Sequence, residues 1–167
     1  MVPNIQMQFL STENSRRWCR ENNISLDAHE RPAKPKDAAR FEIPADAQKR
    51  VYLVSGRMTA FVDEPMLLVW FDDWAVWPSG QRMHVFDRLR MSYGETRPVI
   101  DSPGHVFARQ EFEHAVSFVT LAVLFLWDCY VMVPARRKFL FFSHDEYGLS
   151  HGLNPDSLDD GRLRRVH

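Results

Sequence analysis

Cysteine is scarce: the 167 residues hold two, Cys19 and Cys129. They follow neither a metal-binding spacing nor an even disulfide framework, so both read as reduced thiols of a cytosolic protein, Cys129 as a small core residue. An excess of charge is missing too. Lys plus Arg number 21 and Asp plus Glu 22, which removes the global positive field that nonspecific nucleic-acid or acidic-membrane binding exploits. Nor is there a long apolar run. Ala115 to Leu126 is apolar apart from Ser117 and Thr120, but a spanning helix needs roughly 20 such residues, and Asp128 interrupts any extension. That stretch reads as a buried core helix, and no membrane association is expected. Met1 to Gln6 has no charged region followed by an apolar one, so no secretory signal is expected. The chain has no Gly-x-Ser-x-Gly elbow, no glycine-rich phosphate loop and no dinucleotide fingerprint. It also has no internal repeat and no low-complexity tract.

With 45% apolar residues the chain can bury a real core as one domain. Ile5 to Leu10 predicts a short strand, and Ser11 or Thr12 caps a helix to about Asn22 that Trp18 anchors. Asp27 to Ala39, with Pro32 and Pro35 among charged residues, predicts a linker or wrapping arm. Phe41 to Ile43 alternates like a strand, and Ala47, Val51, Val54, Met58 and Phe61 recur at helical spacing. Met66 to Phe71 is too continuously apolar to have a wet face and predicts a central strand. Ser79 caps a predicted helix to Tyr93, with Val85, Phe86, Leu89 and Tyr93 on its apolar face and Gly94 ending it. The 97–107 stretch, with Pro98, Pro103 and Gly104, predicts a loop with one short strand. The apolar helix follows, and Tyr130 to Val133 and Lys138 to Phe142 predict a hairpin.

These elements predict an α+β domain, a mixed sheet of four or five strands covered by three or four helices, with a C-terminal antiparallel hairpin. Residues 1–40 form the N-terminal helix and the linker arm packing on the core. Residues 41–148 form the single α+β core domain, and residues 149–167 a flexible tail.

One set of motifs stands out: Trp77-Pro78-Ser79, Leu89-Arg90-x-Ser92-Tyr93-Gly94, Pro103-Gly104-His105-x-Phe107, Trp127-Asp128 and Ser143-His144-Asp145-Glu146-Tyr147. The set resembles a group of uncharacterised bacterial proteins over about half of the chain, from Trp70 to Tyr147. The resemblance implies a bacterial, cytosolic setting and carries no activity, cofactor, partner or functional residue.

Candidate catalytic residues are His144, Glu146, Asp128 and His105, with Asp145 beside them. Imidazole and carboxylate are Zn or Mn ligands and also the kit for general acid–base chemistry. If residues 143–146 were a strand, His144 and Glu146 would converge while Asp145 pointed away. The bland alternative is that Asp128 and the 143–146 run order a turn and that His105 pins a loop. Asp72 and Asp73 can hold Mg²⁺ only if neighbouring strand residues converge; pairing with Arg82, Arg88 or Arg90 is the simpler role. Ser143 and Ser150 each precede a histidine, but immediate neighbours on an extended chain do not form a nucleophile–base pair.

Candidate binding residues are Trp74, Trp77, Arg88, Arg90 and Tyr93, since exposed aromatic and Arg side chains are the types enriched at binding hot spots. Trp70 reads as core. Arg136-Arg137-Lys138 and the tail arginines Arg162, Arg164 and Arg165 offer phosphate contacts. The leading expectation is a small cytosolic bacterial protein-binding accessory or regulatory module. The first alternative is a hydrolase using the His/Asp/Glu cluster, for which a divalent metal is the one cofactor considered. The second is a nucleic-acid-binding module. Whether the protein is an enzyme, and its oligomeric state, stay open at this stage.

Overall fold

The structure is a computed structural model that describes residues 7–74 and 84–154. The strands are β1 (Gln8–Leu10), β2 (Ala39–Glu42), β3 (Met66–Trp74), β4 (Gly104–Ala108), β5 (Trp127–Met132), β6 (Phe139–Phe142) and β7 (Tyr147–His151). They form one seven-stranded sheet in the order β1-β4-β3-β5-β6-β7-β2, and every pairing is antiparallel. Among the described residues, four α-helices accompany it: α1 (Thr12–Glu21), α2 (Ala47–Met58), α3 (His84–Ser92) and α4 (Phe112–Leu124). The fold is α+β with four helices, as expected, but the sheet is neither mixed nor limited to four or five strands.

β4 is the short strand expected within the 97–107 loop; it runs on to Ala108 and is buried throughout between β1 and β3. The strand that was not expected is β7. β7 runs through His151, into residues whose polar composition suggested a tail. It alternates half-buried and buried positions: Tyr147 and Leu149 pack against the core on the arm side, while Gly148 lies under the Phe41 ring. The rest of the expected tail, from residue 155 onward, lies outside the described residues.

The pleat divides the β3, β5 and β6 side chains between two cores. Leu67, Val69, Phe71, Cys129, Val131, Leu140 and Phe142 face the helical layer, where Val54 and Met58 of α2, Phe86 of α3 and Phe118 and Val119 of α4 pack on them. Leu68, Trp70, Tyr130, Met132, Phe139 and Phe141 face the other side and are covered by Cys19 of α1 and by Ile24. The continuous apolar run of β3 follows from this double cover. Ser11 caps α1, accepting the Asn14 N–H at 3.1 Å, and Asp46 caps α2 at 3.0 Å. Gly104 permits the approach of α1, since a Cβ there would lie 2.0 Å from Ser15 Oγ.

Beyond α1 the chain makes the expected arm, whose one ladder contact is the Leu26–Pro32 bridge. Lys34 Nζ stands 4.0 Å from the centre of the Phe141 ring, and Arg136 donates to the Ala33 carbonyl at 2.6 Å. Both thiols are buried; burial pushes Cys19 up to about 12 and raises Cys129 well above the ordinary thiol value, so neither is a nucleophile at neutral pH.

Candidate functional site

Of the four catalytic candidates, the fold brings Asp128 and His144 together. Asp128 is 6% exposed at the start of β5, and its Oδ1 accepts two bonds from His144: the backbone N–H at 2.8 Å and the ring Nδ1–H at 2.7 Å. This fixes the tautomer and turns Nε2 outward, where Asp145 Oδ1 lies 3.6 Å away. The Asp128 hydrogen bond raises the His144 pKa above its ordinary value, against partial burial. Burial raises the Asp128 carboxyl, with the His144 bonds pulling it down.

Glu146 is not part of this site. Residues 143–146 form a tight turn and not a strand: Glu146 N–H donates to Ser143 O at 3.1 Å, and Glu146 has φ 63°. The turn aims Glu146 at Arg50 of α2, 2.7 Å away, so the expected convergence of His144 with Glu146 gives way to His144 with Asp145. Ser143 Oγ accepts the Asp145 N–H at 3.2 Å, a turn role and not a nucleophile's.

His105 is on the wrong face. It shares the helical side of the sheet with Phe107 and sits among the Phe9, Phe71, Phe86 and Phe118 rings, whereas Asp128 alternates with Trp127 and Cys129 and points to the arm side. Fully buried, it has its pKa held well below the ordinary histidine value by desolvation and then by the Arg90 charge. It is therefore neutral and accepts from Arg90 through Nε2.

Arg90, expected as an exposed binding residue, is 1% exposed. It donates to Ser102 O at 3.1 Å, Ser102 Oγ at 2.5 Å and Arg97 O at 3.2 Å, tying α3 to the loop before β4. Its apolar stripe partner Phe86 explains the misplacement: four residues earlier on the helix, Phe86 draws position 90 to the same buried side. Tyr93 is half-buried, with its hydroxyl 2.5 Å from His114 Nδ1. Trp77 and the side chain of Trp74 lie outside what is described. Trp70 is core, as expected.

Asp72 and Asp73 both meet Arg31, a residue of the arm that composition did not single out. Arg31 Nε is 2.8 Å from Asp72 Oδ2 and its second nitrogen 2.9 Å from Asp73 Oδ2. Neighbouring strand residues ordinarily diverge, but here a bulge intervenes, with Asp73 at φ 39° and a register shift against β5. Asp72 stands opposite Asp128 in that register, and burial raises its pKa while Arg31 lowers it. The five groups make an acidic, largely ion-paired corner. Among the described residues, no group of three or more His, Cys, Asp or Glu is placed to hold a metal ion.

The basic turn is consumed internally. Arg137 and Lys138 bind the buried Glu64 at 3.0 and 2.7 Å, and Arg136 holds the arm. Among the described residues no helix is long and apolar enough to cross a membrane.

Between α3 and α4 runs an open groove of about 570 Å³ lined by Val85, Arg88, Leu89, Val116, Ser117, Thr120 and Leu121. Val85, expected on the core face of its helix, is 61% exposed. Its sequence signal was α4: a helix apolar around its whole circumference should be covered all round, yet Val116 and Leu121 are only partly buried. Compared with protein-family models, curated proteins and solved structures, the chain matches none.

Proposed function

We propose that the protein is a protein-binding accessory or regulatory module whose contact face is the outer surface of α3 and α4. One observation carries the reading: among the described residues, apolar side chains of two helices line one open groove here, while the charged candidates elsewhere are engaged within the fold. Val85 is 61% exposed at its α3 wall, and Arg88, an anchor type common at binding sites, lines the groove.

The test is co-purification from source cells with the wild-type chain, V85D and L121D, each verified as folded by its thermal melt. Expected is a protein held stoichiometrically by the wild type and lost by both variants, since burying a carboxylate at a groove centre costs about 2 kcal/mol or more, roughly thirtyfold in affinity. A partner retained equally by all three would refute this contact face.

A second reading is supported by the Asp128–His144 pair, which has the orientation of a general base and the group that holds it. It predicts ester hydrolysis that H144Q removes and whose rate rises with pH as His144 deprotonates. Activity unaffected by H144Q would end it.

A further inference from the structure

Resting on that reading, we infer that the occupant of the α3/α4 groove is an amphipathic helix of another protein, carrying an acidic residue set against Arg88. α3 and α4 flank the groove: Tyr93, just past the end of α3, meets His114 and Phe118 of α4, and Phe86 meets Phe118. Val85 and Leu89 are four apart on α3, as are Val116 and Thr120 on α4, so each helix presents one ridge. Two facing ridges over an apolar floor are the seat that a third helix fills by packing ridges into grooves at about 8–10 Å between axes.

The polar chemistry favours a helix over an extended segment. An added strand binds through backbone hydrogen bonds to an open sheet edge, and helix walls offer none, because their N–H and C=O groups are already paired. The groove hydroxyls are paired too: Ser117 Oγ donates to Glu113 O at 3.1 Å and Thr120 Oγ1 to Val116 O at 2.7 Å. An extended peptide laid here would strand its own amides; a helix brings its backbone satisfied.

Charge selects the kind of helix. Among the described residues, Arg88 is the one charged residue lining the groove, and it forms no ion pair with any of them. A partner that covers it must compensate the guanidinium, which a carboxylate does in bidentate geometry. A lysine-flanked helix would be repelled at the same point.

The probes are three fluorescein-labelled, stapled helical peptides with the same leucine stripe, flanked by Glu, Gln or Lys, titrated by anisotropy into the full chain. The expected result is that the Glu probe binds about tenfold or more tighter than the Lys probe, that R88E reverses the order, and that V85D abolishes binding of all three. Equal affinities, or an order unchanged by R88E, would overturn the acidic helix while leaving the groove as a contact face, because V85D would still abolish binding. No binding by any probe, or binding indifferent to V85D, overturns the helical occupant; the contact face itself then stands or falls on the co-purification with V85D and L121D.

Discussion

Replacing Arg90 with methionine keeps the apolar stem of the side chain and deletes its guanidinium. A buried arginine without a carboxylate in contact is costly, and apolar replacement of such charges is sometimes neutral or stabilising. Here the acceptors decide the sign. Two backbone carbonyls, Ser102 O and Arg97 O, together with Ser102 Oγ and His105 Nε2, remain when the donor is gone. Each buried acceptor left unpaired costs about 1–3 kcal/mol, though the Arg97 carbonyl sits near solvent and recovers water. The net expectation for R90M is a loss of about 3–5 kcal/mol, the range for breaking a buried charge network by removing one partner. Burial lowers the Arg90 pKa to about 10, so it carries its charge at neutral pH and the cost is nearly constant between pH 6 and 8. Urea unfolding followed by circular dichroism measures it. R90M combined with H105F should cost less than the sum of the single changes, because phenylalanine removes an orphaned nitrogen from a site already ringed by Phe9, Phe71, Phe86 and Phe118. An R90M loss under about 1 kcal/mol, or strict additivity with H105F, would refute the argument that Arg90 satisfies those acceptors.

Other expectations follow from the same contacts. Because the folded His144 pKa lies above its unfolded value, its stabilisation is full below the unfolded pKa and fades as pH rises through the folded one. The urea-midpoint gap between wild type and H144Q should therefore shrink from pH 6 to pH 8; a gap that widens contradicts the Asp128 bond as its source. G104A places a methyl 2.0 Å from Ser15 Oγ and 3.1 Å from Leu10 Cβ. It should lower stability by about 1–3 kcal/mol, with partial recovery in G104A/S15A; an unchanged melt would mean that α1 shifts freely. R31M should loosen the arm, read as faster tryptic cleavage after Lys36 with the global melt lowered by about 1–2 kcal/mol. Cleavage no faster than in the wild type would show that Arg31 is not the latch.

Strong local patterns in the sequence told the truth about elements and little about their company. Met66 to Phe71 read as a doubly covered strand because each of its residues is apolar, and α2 was legible from Val54 and Met58 recurring at helical spacing. β4 was expected as one short strand in its loop, but β7 escaped because its second partner is distant in the chain: Tyr147 to His151 is enclosed by β6 and β2. The candidate site divided along the same line. Asp128 with His144 was foreseen as a pair of residue types, but the turn that turns Glu146 away and the pleat that puts His105 on the opposite face are geometric facts that composition does not carry. Arg31 was hidden because an arginine in a proline-rich arm looks solvated until the Asp73 bulge brings two carboxylates to it.

The strand order has a consequence for how the chain is made. Both sheet edges, β1 and β2, come from the first 42 residues, yet β1 pairs with β4 and β2 with β7, the last described strand. As the polypeptide emerges from the ribosome, β1 therefore has no strand to pair with until β4 is made, and β2 none until β7 is made. Such late, long-range closure makes for slow folding and long exposure of unpaired segments. The arm's prolines and charges, with Arg40 and Glu42 on the final edge strand, suit a stretch that must wait in solvent without finding the wrong neighbour.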